Sequence, residues 1–214
     1  MPIAMLPKLE GFTHDDFDVF SLQGFEERMT ALKTHVRPKL EALGAALAPE
    51  LAHLLGTPVF AHVAKHARRT VNPPQDTWVA WSTNARGYKA HPHFQLGLWG
   101  SHVFMQFALI YESPLKAPFA RRARQELDRV RRAVPEHFRW SDDHMRPGGR
   151  IHGELGKEDL HAFLERGERV AKAEILCGVD MTRDEVAALA GADLATCALA
   201  TFKAALPLYN LATT

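Results

Sequence analysis

The chain has 214 residues, 46% of them hydrophobic and 24% charged, with two cysteines and a net charge of +1. Those values exclude a disordered, collagen-like or disulfide-framed chain and leave enough apolar residues for a sizeable core. The charge is uneven: residues 1–55 carry net −3, residues 56–140 net +8 and residues 141–214 net −4. A basic middle between acidic ends points to a face that attracts anions, unless the ends neutralise the middle in the fold.

Met1–Leu6 lacks the basic stretch and long apolar run of a secretory signal, so a cytoplasmic protein is expected, with residues 1–11 a loosely ordered N-terminal segment. Thr13 before His14-Asp15-Asp16 reads as a helix N-cap. A second helix is expected from Gly24, with Phe25, Met29, Leu32 and Val36 at helical spacing. Pro38 restarts it, Leu40 to Leu54 continues the stripe, and Gly56 ends it. The period then changes from helical to alternating. Residues 58–64 and 77–82 read as strands, and Pro73-Pro74 makes the segment between them a loop.

Residues 94–99 and 102–111 read as a hairpin turned by Gly100-Ser101. In that register Leu98 faces Val103, Leu96 faces Met105 and Phe94 faces Phe107, all apolar and on the core side. The opposite side is polar and aromatic, with His93, Gln95, Gly97, Trp99, His102, Phe104 and Gln106, and suits either a cleft or a helix-covered layer. The span 90–111 has no charged residue, but its proline, histidines and glycines exclude a membrane helix. A helix is expected over 118–134, apolar at Phe119, Ala123, Leu127, Val130 and Val134, with Arg121, Arg122, Arg124, Arg129, Arg131 and Arg132 outside. A short strand near 137–140, a mobile Gly148-Gly149 loop, a helix over 157–170 and a strand over 173–179 follow. Thr182 and Glu185 form a capping box for the next helix, and a last helix over 192–206 is stopped by Pro207. Cys177 and Cys197 sit in apolar stretches and read as small core residues. Helices first, strands clustered in the middle and helices at the end predict a single α+β domain, a mainly antiparallel central sheet with helices packed against it.

Several runs carry a resemblance: RPKLEALG (37–44), HVAKHARRTVNPPQDTWVAW (62–81), RGYKAHPHFQLGLW (86–99), FALIYESPLK (107–116), WSDDHM (140–145) and KAEILCG (172–178). They resemble the YktB-like family of bacterial proteins, over about residues 12 to 209. The resemblance implies a cytoplasmic α+β protein and carries over no catalytic residues.

The residues themselves suggest three functions. Lys65, Arg68, Arg69, Arg86 and Lys89, interleaved with Trp78, Trp81 and Tyr88, suit an anionic ligand. Guanidinium forks grip phosphate and aromatic faces stack on rings. The leading expectation is an anion-binding protein for a nucleic acid or phosphorylated small molecule, held by Lys65, Arg68, Arg69, Arg86, Tyr88 and Lys89. The cations before and after strand 77–82 are expected to converge. The alternative is a hydrolase or other enzyme on a phosphorylated substrate, with His62, His66, His93 or His144 as acid–base residues, or an Asp–His pair using Asp142 or Asp143 with a histidine. A third reading is an interaction protein docking an acidic partner through its arginine-rich helix. Nucleophile elbow, phosphate loop and dinucleotide motifs are absent, and no metal or cofactor is expected despite twelve histidines. No membrane association is expected.

Overall fold

A computed structural model describes residues 9–67 and 69–214. The chain enters through α1 (His14–Asp18), where the Thr13 N–H donates to Asp16 Oδ2 at 2.7 Å in a capping box. α2 (Phe25–Ala31) passes through a π-helical turn, Leu32–Val36, into α3 (Arg37–Leu55). Pro38 explains the turn: it has no N–H for the Thr34 carbonyl and its ring would strike it, so the helix widens there. Gly56 ends α3 at φ 67°, a left-handed conformation that favours glycine.

The strands are β1 (Phe60–Val63), β2 (Asp76–Ser82), β3 (His93–Trp99) and β4 (His102–Leu109). Then come α4 (Lys116–Gln125), α5 (Leu127–Ala133), β5 (Arg139–Ser141), β6 (Arg150–Ile151) and α6 (Lys157–Arg169). β7 (Ile175–Thr182), α7 (Arg183–Ala187), α8 (Gly191–Ala204) and α9 (Leu206–Thr213) complete the chain. One seven-stranded antiparallel sheet runs in the order β1-β2-β3-β4-β7-β5-β6. The protein is therefore α+β. The β3–β4 register is the one the alternation predicts, with Phe94 opposite Phe107, Leu96 opposite Met105 and Leu98 opposite Val103.

All the helices share one hydrophobic cluster with a single sheet face, the face carrying Val79, Trp81, Leu96, Met105, Trp140 and Cys177. The other face is covered by connecting segments around residues 83–92, 110–115 and 142–149, and its apolar cluster is only Ala108, Ile110 and Leu176 with Tyr88. Burial pushes the Cys177 thiol far above its ordinary range, so it is an inert core residue, and Cys197 packs half-buried against the same core.

Two expectations need correction. The helix over 118–134 breaks at Glu126, whose φ −104°, ψ 28° leaves the helical region. Pro207 does not stop the chain's helices: it sits in the first turn of α9, where its missing N–H costs nothing. Within the segment expected to be loosely ordered, Leu9 packs against the core and its carbonyl lies where a side chain at Gly191 would go. Residues 1–8 lie outside the described residues. No single helix among the described residues is long and apolar enough to cross a membrane.

Candidate functional site

On the loop-covered face, the strand alternation that buries Val79, Leu96 and Met105 on one side necessarily points Asp76, Trp78, Gln95, Phe104 and Gln106 to the other. Gly97 lies opposite both Trp78 and Phe104, and the Phe104 ring fills the space that a side chain at Gly97 would take. A polar chain crosses this face. Arg139 grips Asp180 through two contacts of 2.6 Å and donates to Gln106 Oε1 at 3.1 Å. Gln106 Nε2 then donates to Gln95 Oε1 at 3.0 Å. The chain ends at a cavity of about 80 Å³ lined by Asp76, Gln95, Phe104, Lys89 and His144.

Asp76 is 2% exposed. Burial pushes its carboxyl up to about 6, against weaker opposing fields from His144 and Arg69. Across the cavity, His144 Nδ1 lies 2.7 Å from Glu174 Oε2, and the same oxygen accepts the His144 backbone N–H at 2.8 Å. A carboxylate only accepts, so Nδ1 carries the hydrogen and Nε2 is left free. Burial alone would lower His144, but the bond to Glu174 and the fields of Glu174, Asp76 and Asp143 outweigh it, and the imidazole is raised above its ordinary value. Glu174 is 1% exposed and ends the turn before β7, where Glu174 N donates to Asp142 O at 2.9 Å.

The sequence candidates fall into two groups around this cavity. His62, His66 and His93 belong to an aromatic chain on the same face. His66 stands edge-on to Trp78, Trp78 Nε1 donates to Tyr88 Oη at 3.0 Å, and Tyr88 packs on His62 and His93. Burial pushes Tyr88 up to about 12, with Glu112, Asp76 and Glu174 adding to the rise and the Trp78 bond opposing it. Burial, then the nearby Arg69 and Arg37, lowers His66 to about 4. Burial also lowers the fully buried His93 to about 4, and its Nε2 has no hydrogen-bond partner among the described residues. Both therefore stay neutral at physiological pH, whereas His144 is raised and has a carboxylate partner.

The expected convergence of cations is only partial. The segments carrying Lys65 with Arg69 and Arg86 with Lys89 leave opposite ends of β2, some 20 Å of strand apart. The second segment folds back through Tyr88, so Lys89 reaches the cavity rim, where it pairs with Glu112 at 2.8 Å, while Arg69 acts on Asp76 through its field. Lys65 and Arg86 stay exposed, and Arg68 lies outside the described residues. On the arginine-rich helices, Arg121 and Arg124 pair with Glu168 at 2.9 and 2.6 Å, and Arg122 donates to the Leu211 carbonyl at 2.5 Å. That half of the basic stripe balances charge within the fold.

Asp143, His144 and Glu174 place donor atoms within 4.8 Å of one another. The set does not suit a metal as it stands. Asp143 already accepts from Met145 N and Arg146 Nε, both at 2.8 Å, and Glu174 is occupied by His144. A larger groove of about 580 Å³ lies near α1 and α3, but its buried acid, Asp16, is satisfied by Lys39 at 2.6 Å and by Thr13. Sequence reasoning placed Gln95 and Gln106 on the cleft-suited face of the hairpin but missed Asp76, Glu174 and Arg139. The available signal was an acid or arginine at the edge of, or within, an apolar strand.

The family model described as "Domain of unknown function (DUF1054)" matches residues 12–209. A UPF0637 protein of Bacillus mycoides is 48% identical over 203 residues, 95% of this chain and 98% of that protein. One from Bacillus licheniformis is 50% identical over 175 residues, 82% of this chain and 83% of that protein. Since the family match runs from Phe12 in the first cap to Tyr209 in the last helix and takes in every residue of the cavity, the chain belongs to the DUF1054 (UPF0637) family, the YktB-like group that its sequence runs resemble.

Proposed function

We propose that this protein is an acid–base enzyme acting on a small polar molecule bound against the loop-covered sheet face. The observation that carries the reading is Asp76: a buried carboxyl, raised by that burial, facing a cavity shared with a Glu-held histidine. Neighbouring titratable groups shifted from their ordinary values by burial and by specific partners mark candidate acid–base assignments. In this reading Asp76, largely ionised at neutral pH, accepts a proton from the substrate or from an attacking water. His144, whose charged form Glu174 favours, returns one from Nε2 to the leaving atom. Glu174 positions the ring and stabilises its cationic form. Phe104 and Trp78 wall the cavity and hold water out, and Lys89 and Arg69 favour a substrate with negative charge.

Two measurements test this. A carbon-detected NMR titration of Asp76 should give a midpoint near 6, and a midpoint at the ordinary carboxylate value removes the reading. Turnover of p-nitrophenyl phosphate, bis-p-nitrophenyl phosphate or p-nitrophenyl acetate should fall by about 10²–10⁴-fold in Asp76→Asn and His144→Gln. Equal rates in all three proteins would refute the assignment.

Simple anion binding without chemistry is the second reading. It is favoured by the positive fields of Arg69 and Arg37 at His66, which add to the burial that lowers the imidazole.

A further inference from the structure

The connecting segment 142–149 has two sides. One side presents His144 to the Asp76 cavity. The other closes a separate groove of about 430 Å³ between β5, β6 and α6, a size typical of small-molecule sites. Three guanidinium groups line that groove: Arg146, Arg150 and Arg166. Each is held by a carboxylate through a single nitrogen. Arg146 Nε meets Asp143 Oδ2 at 2.8 Å, Arg150 Nη2 meets Asp159 Oδ1 at 2.7 Å and Arg166 Nε meets Asp142 Oδ2 at 2.8 Å. A guanidinium has five N–H donors, so each arginine is oriented by its acid and keeps most of its donors for another partner.

Ser141, Asp142 and Asp143 also line the groove, the two acids engaged by Arg166 and Arg146. Phe163, half-buried, packs edge-on against Trp140 at 5.5 Å and supplies an apolar wall. Gly148 turns the segment at φ 87°, and Gly149 lies so close to the Trp140 carbonyl that no side chain fits there. These glycines hold the segment flat on β5 and leave the groove open. Oriented arginines beside an apolar wall suit a tetrahedral oxyanion attached to an organic body.

We propose that this groove binds the phosphoryl group of a small phosphomonoester, as a site separate from the acid–base centre. Asp143, Arg146 and Gly148 line both the groove and a narrow cleft, and His144 and Phe104 line both that cleft and the cavity. The cleft holds only about 20 Å³, room for little more than a water, so phosphate held by Arg146, Arg150 and Arg166 sits on the far side of the segment that carries His144 and does not reach the cavity.

Calorimetric titration with inorganic phosphate and with phenyl phosphate tests the groove without any turnover. Both should bind, phenyl phosphate more tightly because Phe163 adds apolar contact. Arg150→Ala and Arg166→Ala should each weaken both by at least about tenfold, the loss expected for one charge-assisted contact. Arg166→Lys, which keeps the charge but not the fork, should fall between. Melting temperatures of these variants should match the parent, since the pairs they remove are exposed. Absence of binding at millimolar concentration, binding that the arginine variants leave unchanged, or binding abolished by Lys89→Ala instead, would overturn the proposal. His144→Gln should leave phosphate binding intact. If phosphate binds through these arginines while Asp76 titrates normally, the acid–base reading fails and the groove stands.

Discussion

Asp76 couples the candidate chemistry to stability. Unfolded, its carboxyl titrates near 3.8; folded, it is raised to about 6 by burial. Below the lower value both states are protonated and the group is neutral in effect. Between the two values only the unfolded chain releases the proton, so stability falls as pH rises. Above about 6 the loss is constant, roughly 3 kcal/mol from the size of the shift. Asp76→Asn keeps the shape and removes the charge. It should raise stability by about 1–3 kcal/mol at pH 7.5 and leave it nearly unchanged at pH 4, measured by urea melts at both. An equal loss at both would mean the carboxylate is held by partners and carries no burial penalty. His144 acts in the same direction, because a raised imidazole contributes stability below its unfolded value that is lost as pH rises through the folded one. His144 was legible in the sequence as an acid-flanked histidine. Its partner was not, because Glu174 lies 30 residues away and its burial depends on how β7 enters the sheet.

The hairpin of β3 and β4 was legible because strict alternation and a Gly-Ser turn leave only one register that keeps every apolar residue on one side. That logic ranks Leu96 above Gln95 in importance, and the structure narrows the gap. Leu96 is fully buried, but Gln95 is buried too, and it is the acceptor for Gln106. Leu96→Ala should cost about 3 kcal/mol through the cavity it opens. Gln95→Ala should cost about 1–3 kcal/mol by leaving Gln106 Nε2 unpaired. Denaturant melts that found Gln95→Ala neutral would place that side of the hairpin in water. Elements of two to three residues were poorly legible: β6 has no periodicity to read, and β5 is fixed by its neighbours β7 and β6. The break at Glu126 was hidden because the inward stripe from Phe119 to Val134 continues across it.

Across the whole molecule, one hydrophobic cluster takes in residues from every helix and from both ends of the sheet, Trp81 and Trp140 among them. Such a core should unfold as a unit. Far-UV circular dichroism and tryptophan fluorescence should follow one coincident thermal transition; two separated transitions would divide the molecule at the β4–β7 pairing. The α+β class was legible from the order of periods along the chain. The cavity was not, since residues 76, 89, 95, 144 and 174 meet only through sheet topology and two folded-back connections.

The sheet is also a partition one residue thick. Gln95 and Leu96, Phe104 and Met105, Gln106 and Phe107, and Arg139 and Trp140 are chain neighbours that point to opposite sides of it. Every single step along these strands passes from the residues that hold the protein together to those that would meet a ligand. Substitutions on the ligand side can therefore accumulate without disturbing the helices behind. Loss or gain of one residue within these strands would exchange the two inventories, sending amides and an arginine into the core and leucine and tryptophan out to the cleft. The strands that present this face should therefore tolerate a changed side chain more readily than a changed length.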